Sequence, residues 1–255
     1  MSFERHWRAD RVKMFLTGEG PTDCGRSRFD KKSSQFVWED GPVQVYIRKI
    51  IPDLQIDTFG KAELRDLSAT RKTKRNQRST QGLEGHGQRA FYIAQLATEK
   101  GYDIAAMYSD ADKSSGSTQK DIVSCQRRYD LISGQILAGL RRGGADKPLA
   151  IVPMKMIECW ILGDREAFVE VFGSAPKQAQ FKNPELLWGD EHDPESDYPK
   201  NRLARILKEC GGESSQDTFV TIANASDIAT LCKSCPISFA DFFSQLDTYA
   251  QPAYG

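Results

Sequence analysis

The chain has 255 residues, with 35 lysines and arginines against 35 aspartates and glutamates, so its formal net charge is zero. A balanced charge exerts no global pull toward nucleic acid, and no apolar run approaches the roughly 18 residues needed to span a bilayer. The opening stretch, MSFERHWRADRVK, is charged and lacks the apolar core of a secretion signal, so the cytoplasm is the expected location.

The length suits one large domain, or a core domain with a sizeable appendage. Val12 to Thr17 predicts a short strand that runs into the turn GEGPTD, Gly18 to Asp23. Cys24 to Asp40 is rich in Arg, Lys and Ser and reads as a polar loop. Val43, Ile47, Ile50 and Ile51 recur at helical spacing, and Pro52 closes that helix. Leu54, Ile56 and Thr58 alternate like a strand. Residues 61–88 are basic and glycine-punctuated, too long for an idle connection in a compact core. Ala90, Ile93, Ala94 and Ala97 mark one face of a helix that stops at Gly101.

The next strand is DIAAMYS, followed by the polar loop DADKSSGSTQKD. A long helix carries Ile122, Tyr129, Ile132, Ile136 and Leu140, and Gly143 and Gly144 end it. PLAIVPM is a fourth strand, and Ile157 to Val171 reads as one helix with Trp160, Ile161 and Phe168 inward. Such alternation of strand and helix predicts a parallel sheet covered on both faces. A core over residues 1–172 is therefore expected, with a basic insertion at 61–88 and a mostly helical region at 173–255 packed on it. In that second region the patterns predict helices at Asn201–Cys210, Ser226–Leu231 and Ser238–Tyr249, and a short strand at Thr218–Ala223.

The chemistry concentrates in carboxylates at strand ends. Gly18 and Gly20 enclose Glu19, and Asp23 follows. A dinucleotide fingerprint fails there because position 23 is Asp, and a P-loop fails because no Gly-Lys-Ser/Thr follows. An acid between the glycines repels phosphate but suits a divalent cation. Asp110 and Asp112, spaced D-x-D after the third strand, point the same way in extended backbone. Functional residues of parallel α/β sheets gather at the carboxyl ends of strands. Glu158 opens the helix after the fourth strand in an apolar setting, where an acid is costly without a cation. Asp164 lies two turns on, expected nearer the surface. All-oxygen ligands favour Mg²⁺ or Mn²⁺ over zinc. Taken singly, each acid reads equally as a helix cap or a surface charge. Together they make a candidate metal site of Glu19, Asp23, Asp110, Asp112 and Glu158.

Other residues are weaker candidates. Lys113 could stabilise charge on a reacting phosphate or be a solvated lysine. His86, a lone loop histidine between glycines, could move a proton. The run Arg71, Lys72, Lys74, Arg75 and Arg78 could contact a nucleic-acid backbone, or be a solvated loop, or dock an acidic protein. Arg127, Arg128, Arg141 and Arg142 read as an exposed helix face. Six cysteines are expected to be reduced. Cys232 and Cys235 form a C-x-x-C pair that could be half a zinc site, but burial in the core is the preferred reading.

FLTGEGPTD followed by AMYSDADKSSG resembles the TOPRIM domain shared by topoisomerases, primases and the overcoming-lysogenization-defect nucleases. Glu19-Gly20 matches the family's glutamate turn after strand one, and Asp110-Ala111-Asp112 its D-x-D after strand three, across roughly residues 10–165. A wider resemblance is to stand-alone TOPRIM-like proteins encoded beside ATPases in bacterial anti-phage defence loci. Ile157-Glu158-Cys159-Trp160-Ile161-Leu162-Gly163-Asp164 and Cys235-Pro236-Ile237-Ser238-Phe239 match elements of those proteins; the insertion at 65–88 departs from the general pattern. The resemblance implies a TOPRIM-like, Rossmann-like sheet and a Mg²⁺-dependent endonuclease acting on DNA or RNA. Glu19, Asp110, Asp112 and Lys113 would be its catalytic residues, with an ATPase partner and, as an open question, a homodimer. The alternative is a non-catalytic docking subunit of an ATPase complex.

Overall fold

The computed structural model describes residues 12–18, 20, 22–30, 34–60, 79–111, 122–174, 176 and 183–250. Its centre is a four-stranded, all-parallel sheet of β1 (Lys13–Thr17), β4 (Gln55–Phe59), β5 (Ile104–Tyr108) and β6 (Lys147–Ile151), in the order β4-β1-β5-β6. The register pairs Leu16 with Thr58 on one side and with Ala106 on the other, and Ala106 with Leu149. These are the four apolar runs expected from the sequence. β5 is buried along its whole length, as parallel strands covered on both faces must be.

Side-chain alternation sends Met14, Leu16, Ala106, Tyr108, Leu149 and Ile151 to one face and Phe15, Ala105, Met107 and Ala150 to the other. The second face is covered by α2 (Gly85–Glu99) and α3 (Ile122–Arg142), which pack on each other. Phe15, Phe59 and Tyr102 close the edge of this layer, the two phenylalanine rings stacked at 4.2 Å between centroids. The first face is covered by α1 (Pro42–Ile50), α4 (Glu158–Ile161) and α5 (Arg165–Phe172). Also in this layer are α6 (Pro199–Glu209), α7 (Gln216–Ala225), α8 (Ile228–Ser234) and α9 (Phe239–Ala250). Leu203, Ile206, Phe219, Ile222, Leu231, Phe239 and Phe242 of these later helices share one buried cluster with Met14, Leu16 and Tyr108. Among the described residues no helix is long and apolar enough to cross a membrane.

Three local expectations are corrected. The stretch read as a polar loop, 24–40, holds an antiparallel hairpin of β2 (Arg26–Asp30) and β3 (Gln35–Glu39). It escapes a burial pattern because the ribbon is solvated: Phe29, Val37 and Trp38 are exposed. Residues 218–223 are helical within α7, not a strand. Ser215 caps that helix by accepting from the Thr218 amide, and Phe219, Ile222 and Ala223 are buried at i, i+3 and i+4. The single helix expected over 157–171 is two, α4 and α5, because the Asp164 side chain accepts from the Glu166 amide and starts a new helix.

Candidate functional site

The turn after β1 is built for close approach. A Cβ on Gly18 would lie 2.7 Å from Cβ of Tyr108 on the neighbouring strand, so no other residue fits without displacing it. Gly20 takes φ 88, a left-handed conformation that glycine alone adopts freely. The amides of Asp23 and Cys24 fold back on the Gly20 carbonyl. The start of α1 then holds this turn: the Val43 amide donates to the Asp23 carbonyl at 3.1 Å, and the buried Gln44 side chain donates to the Cys24 carbonyl. Asp23 is thus fixed at the carboxyl end of the sheet.

β5 delivers the second acid. Tyr108 and Asp110 lie two residues apart, and the phenol reaches Asp110 Oδ1 at 2.5 Å and Asp23 Oδ2 at 3.1 Å. A phenol has one proton and cannot donate it to both oxygens. A proton held by one acid, or a bound cation, would serve the contact that the phenol cannot. Consistent with this, the Asp23 carboxyl is pushed up to about 7, first by burial and then by the Glu158 charge; the Tyr108 bond and Lys200 oppose the shift. Burial, then Asp110 and Asp23, push the Tyr108 hydroxyl well up, so it stays a phenol.

The third acid, Glu158, is 7% exposed and is the first residue of α4. It follows a turn in which Lys155 adopts φ 63 and its ammonium donates to the Leu187 carbonyl. Asp23, Asp110 and Glu158 line one cavity of about 530 Å³. Arg26 of β2, Lys200 of α6 and Ser215, Gln216 and Asp217 at the start of α7 also line it. Among the described residues no three His, Cys, Asp or Glu side chains stand close enough together to hold an ion as they are. The donor chemistry nonetheless fits a hard cation: two carboxylates converge on one hydroxyl, with a third lining the same cavity.

Of the acids singled out from sequence, Asp23, Asp110 and Glu158 line this one cavity. Glu19, Asp112, Lys113 and the basic run Arg71, Lys72, Lys74, Arg75 and Arg78 lie outside the described residues. His86 sits 3.4 Å from Ser109, the residue before Asp110, but does not line the cavity. Of the arginines on α3, Arg127, Arg141 and Arg142 are exposed. Arg128 instead donates to the Ala111 carbonyl, inside the D-x-D segment. Tyr108, Arg26, Lys200 and Gln216 were not singled out from sequence. Tyr108 carried a signal, since it stands two residues before Asp110 at a strand end. Lys200 and Gln216 come from distant segments and carried none, and Arg26, three residues after Asp23, stands in the stretch read as a polar loop.

Two motif segments turn out to form core. Asp164 is 3% exposed, not near the surface, and its second oxygen accepts from the Asp227 amide at 2.7 Å. The Trp160 indole donates to Ser238 Oγ at 2.7 Å, and the Met154 amide donates to the same oxygen at 3.0 Å. Ser238 in turn donates to the fully buried Glu185 carboxylate, which also accepts from the Ile237 and Ser238 amides. Cys235 is buried with Sγ on the Cys159 carbonyl, and Cys232 is half-buried. These segments lock α4 to α9 behind the cavity. Ser238→Ala is expected to destabilise the protein by about 2–4 kcal/mol, because it leaves the indole N–H, the Met154 amide and a buried carboxylate each short of a partner. Urea unfolding followed by circular dichroism measures it, and a loss below about 0.5 kcal/mol would show that the network is replaceable.

No protein-family model, curated protein or solved structure matches the chain.

Proposed function

We propose that the chain is a nuclease dependent on Mg²⁺ or Mn²⁺ that hydrolyses phosphodiester bonds of DNA or RNA. The reading is carried by one observation: the Tyr108 hydroxyl reaches both Asp23 and Asp110, in a cavity that Glu158 also lines. Carboxylates at the carboxyl ends of parallel strands, lining one cavity, are the ligands a hard divalent cation takes. Asp23, Asp110 and Glu158 would hold it, with Glu19 and Asp112 as the further ligands named by the TOPRIM resemblance. Such an ion supplies an activated water and stabilises the charge on the leaving oxygen.

The chain's own groups set the conditions for that chemistry. Tyr108 orients Asp110 through a short hydrogen bond and stays protonated through neutral pH. Asp23, half-ionised near neutrality when no ion is bound, gives up its proton where a cation takes over its charge. The resemblance to proteins encoded beside ATPases in defence loci adds the rest of the proposal, an anti-phage effector restrained by a partner ATPase. A docking subunit without catalysis is the competing reading, and the intact acids Asp23, Asp110 and Glu158 weigh against it.

The experiment is cleavage of plasmid DNA and of total RNA by the purified chain in Mg²⁺, Mn²⁺ or EDTA, beside Glu19→Ala, with and without any ATPase encoded next door. Metal-dependent cutting lost in the variant supports the nuclease. No cutting in any condition, with no metal binding by calorimetry, leaves the docking subunit.

A further inference from the structure

Beside Asp23, Asp110 and Glu158 the cavity is lined by two cations and by the start of α7, whose first turn also carries Asp217. Arg26 enters from the hairpin, with its side chain half exposed and its Nε on Glu39. Four of its five guanidinium N–H groups point elsewhere than that contact. Lys200, in the first turn of α6, is exposed at the rim. Its charge is felt by the Asp23 carboxyl across the cavity. Between them opens the N-terminus of α7, a ten-residue helix. Helix N-termini favour anions.

A second, independent observation lies at the first residue of that helix. Gln216 is 6% exposed and lines the cavity. Its amide nitrogen donates to the carbonyls of Glu39 and Asp40, which fixes the side chain. Its buried amide oxygen has no hydrogen-bond partner. Buried acceptors are nearly always satisfied, so an orphan at a cavity wall points to a donor that arrives with a ligand.

We infer that this half of the cavity is a subsite for one unpaired nucleotide of the substrate strand. Its phosphate lies among Arg26, Lys200 and the start of α7, and an N–H or O–H of its base or sugar faces the Gln216 amide oxygen. The inference rests on the nuclease reading and adds to it the form of the substrate. A volume of about 530 Å³ takes a single nucleotide. A base held in a duplex stack cannot enter such a pocket unless it leaves the stack. Single-stranded or flipped nucleotides are the matching class.

The test is binding, measured in EDTA so that no cleavage intervenes. The full chain is titrated against a fluorescein-labelled single-stranded octanucleotide, as DNA and as RNA, and against the same sequence as a duplex, by anisotropy. The wild type is compared with Lys200→Ala, Arg26→Ala and Gln216→Met. Thermal melts verify that each variant is folded; Lys200 is exposed and its variant has no core to disturb. Single strands are expected to bind at least about tenfold tighter than duplex, and loss of either cation to weaken them about tenfold, the scale of one charge-assisted hydrogen bond. Gln216→Met is expected to weaken single strands without altering the slope of affinity against salt, whereas Lys200→Ala reduces that slope.

Cleavage by the wild type with all three variants binding normally overturns the subsite and leaves the nuclease standing. Variant-sensitive binding with no cleavage in any metal, with or without an ATPase partner, leaves the subsite standing and removes the nuclease. Equal binding of single strand and duplex overturns the inference as well.

Discussion

Asp110→Asn is expected to lower metal-dependent strand cleavage by at least about a thousandfold, the scale on which removal of a charge-stabilising group acts in preorganised sites. The substitution keeps the shape of the side chain and an oxygen to accept from Tyr108, so the 2.5 Å hydrogen bond has a substitute and the strand end has no reason to move. What disappears is one negative charge from a set that includes Asp23 and Glu158. A cation loses a ligand of full charge, and the carboxylates lose a mutual repulsion. The variant should therefore be inactive in single-turnover assays yet melt no lower than wild type in EDTA. Calorimetry with Mn²⁺ should show weakened binding at the same time. Retained cleavage would remove Asp110 from the proposed chemistry, and a lower melting temperature would make its role structural.

The second large effect concerns pH. The Asp23 carboxyl sits at about 7 in the folded protein, against an unfolded value near 3.9, because burial and Glu158 both disfavour its charge. Between those values the folded chain holds a proton that the unfolded chain has released. Stability in EDTA should therefore be greatest below about pH 4 as far as this group is concerned, fall as pH rises toward 7, and level off above it. Each pH unit is worth about 1.4 kcal/mol, so the whole span is on the order of 4 kcal/mol as an upper bound. Asp23→Asn cannot ionise and should flatten this part of the profile, leaving the variant more stable than wild type at pH 8. Tyr108, Asp110, Glu158 and Lys200 surround the group and stay in place in the variant. Urea unfolding from pH 5 to pH 8, in EDTA and then in Mg²⁺, measures the effect. A wild-type profile that rises over this range would refute the assignment. Added Mg²⁺ should recover stability at pH 8, since an ion that binds only the folded state stabilises it by mass action.

Much of the architecture was legible because parallel strands buried on both faces write themselves as short, continuous apolar runs. LAI within PLAIVPM and IAAM within DIAAMYS admit little else, given the polar loops beside them. Strand ends in such a sheet converge, so acids placed just after three of them could be paired without knowing the strand order. Where local pattern misled, a specific contact had overruled it. The β-branched stretch around Val220 is helical because Ser215 caps it and one face meets the core. Asp164 is buried because its two oxygens join the start of α5 to the residue before α8. The strands Arg26–Asp30 and Gln35–Glu39 leave no burial signature because Phe29, Val37 and Trp38 face water.

By itself the sequence determined the fold class, the alternation of strands and helices and the acidic character of the strand ends, all properties of neighbours along the chain. Tertiary structure alone decided that Tyr108 joins Asp23 to Asp110, and that Trp160 and Ser238 meet behind the cavity. It alone placed Arg26, Lys200 and Gln216 across from the acids. Tyr108 and Asp23 are 85 residues apart and Trp160 and Ser238 are 78, and no periodicity reaches so far. Pairing of neighbouring parallel strands joins the first pair, and packing of the later helices on one sheet face joins the second.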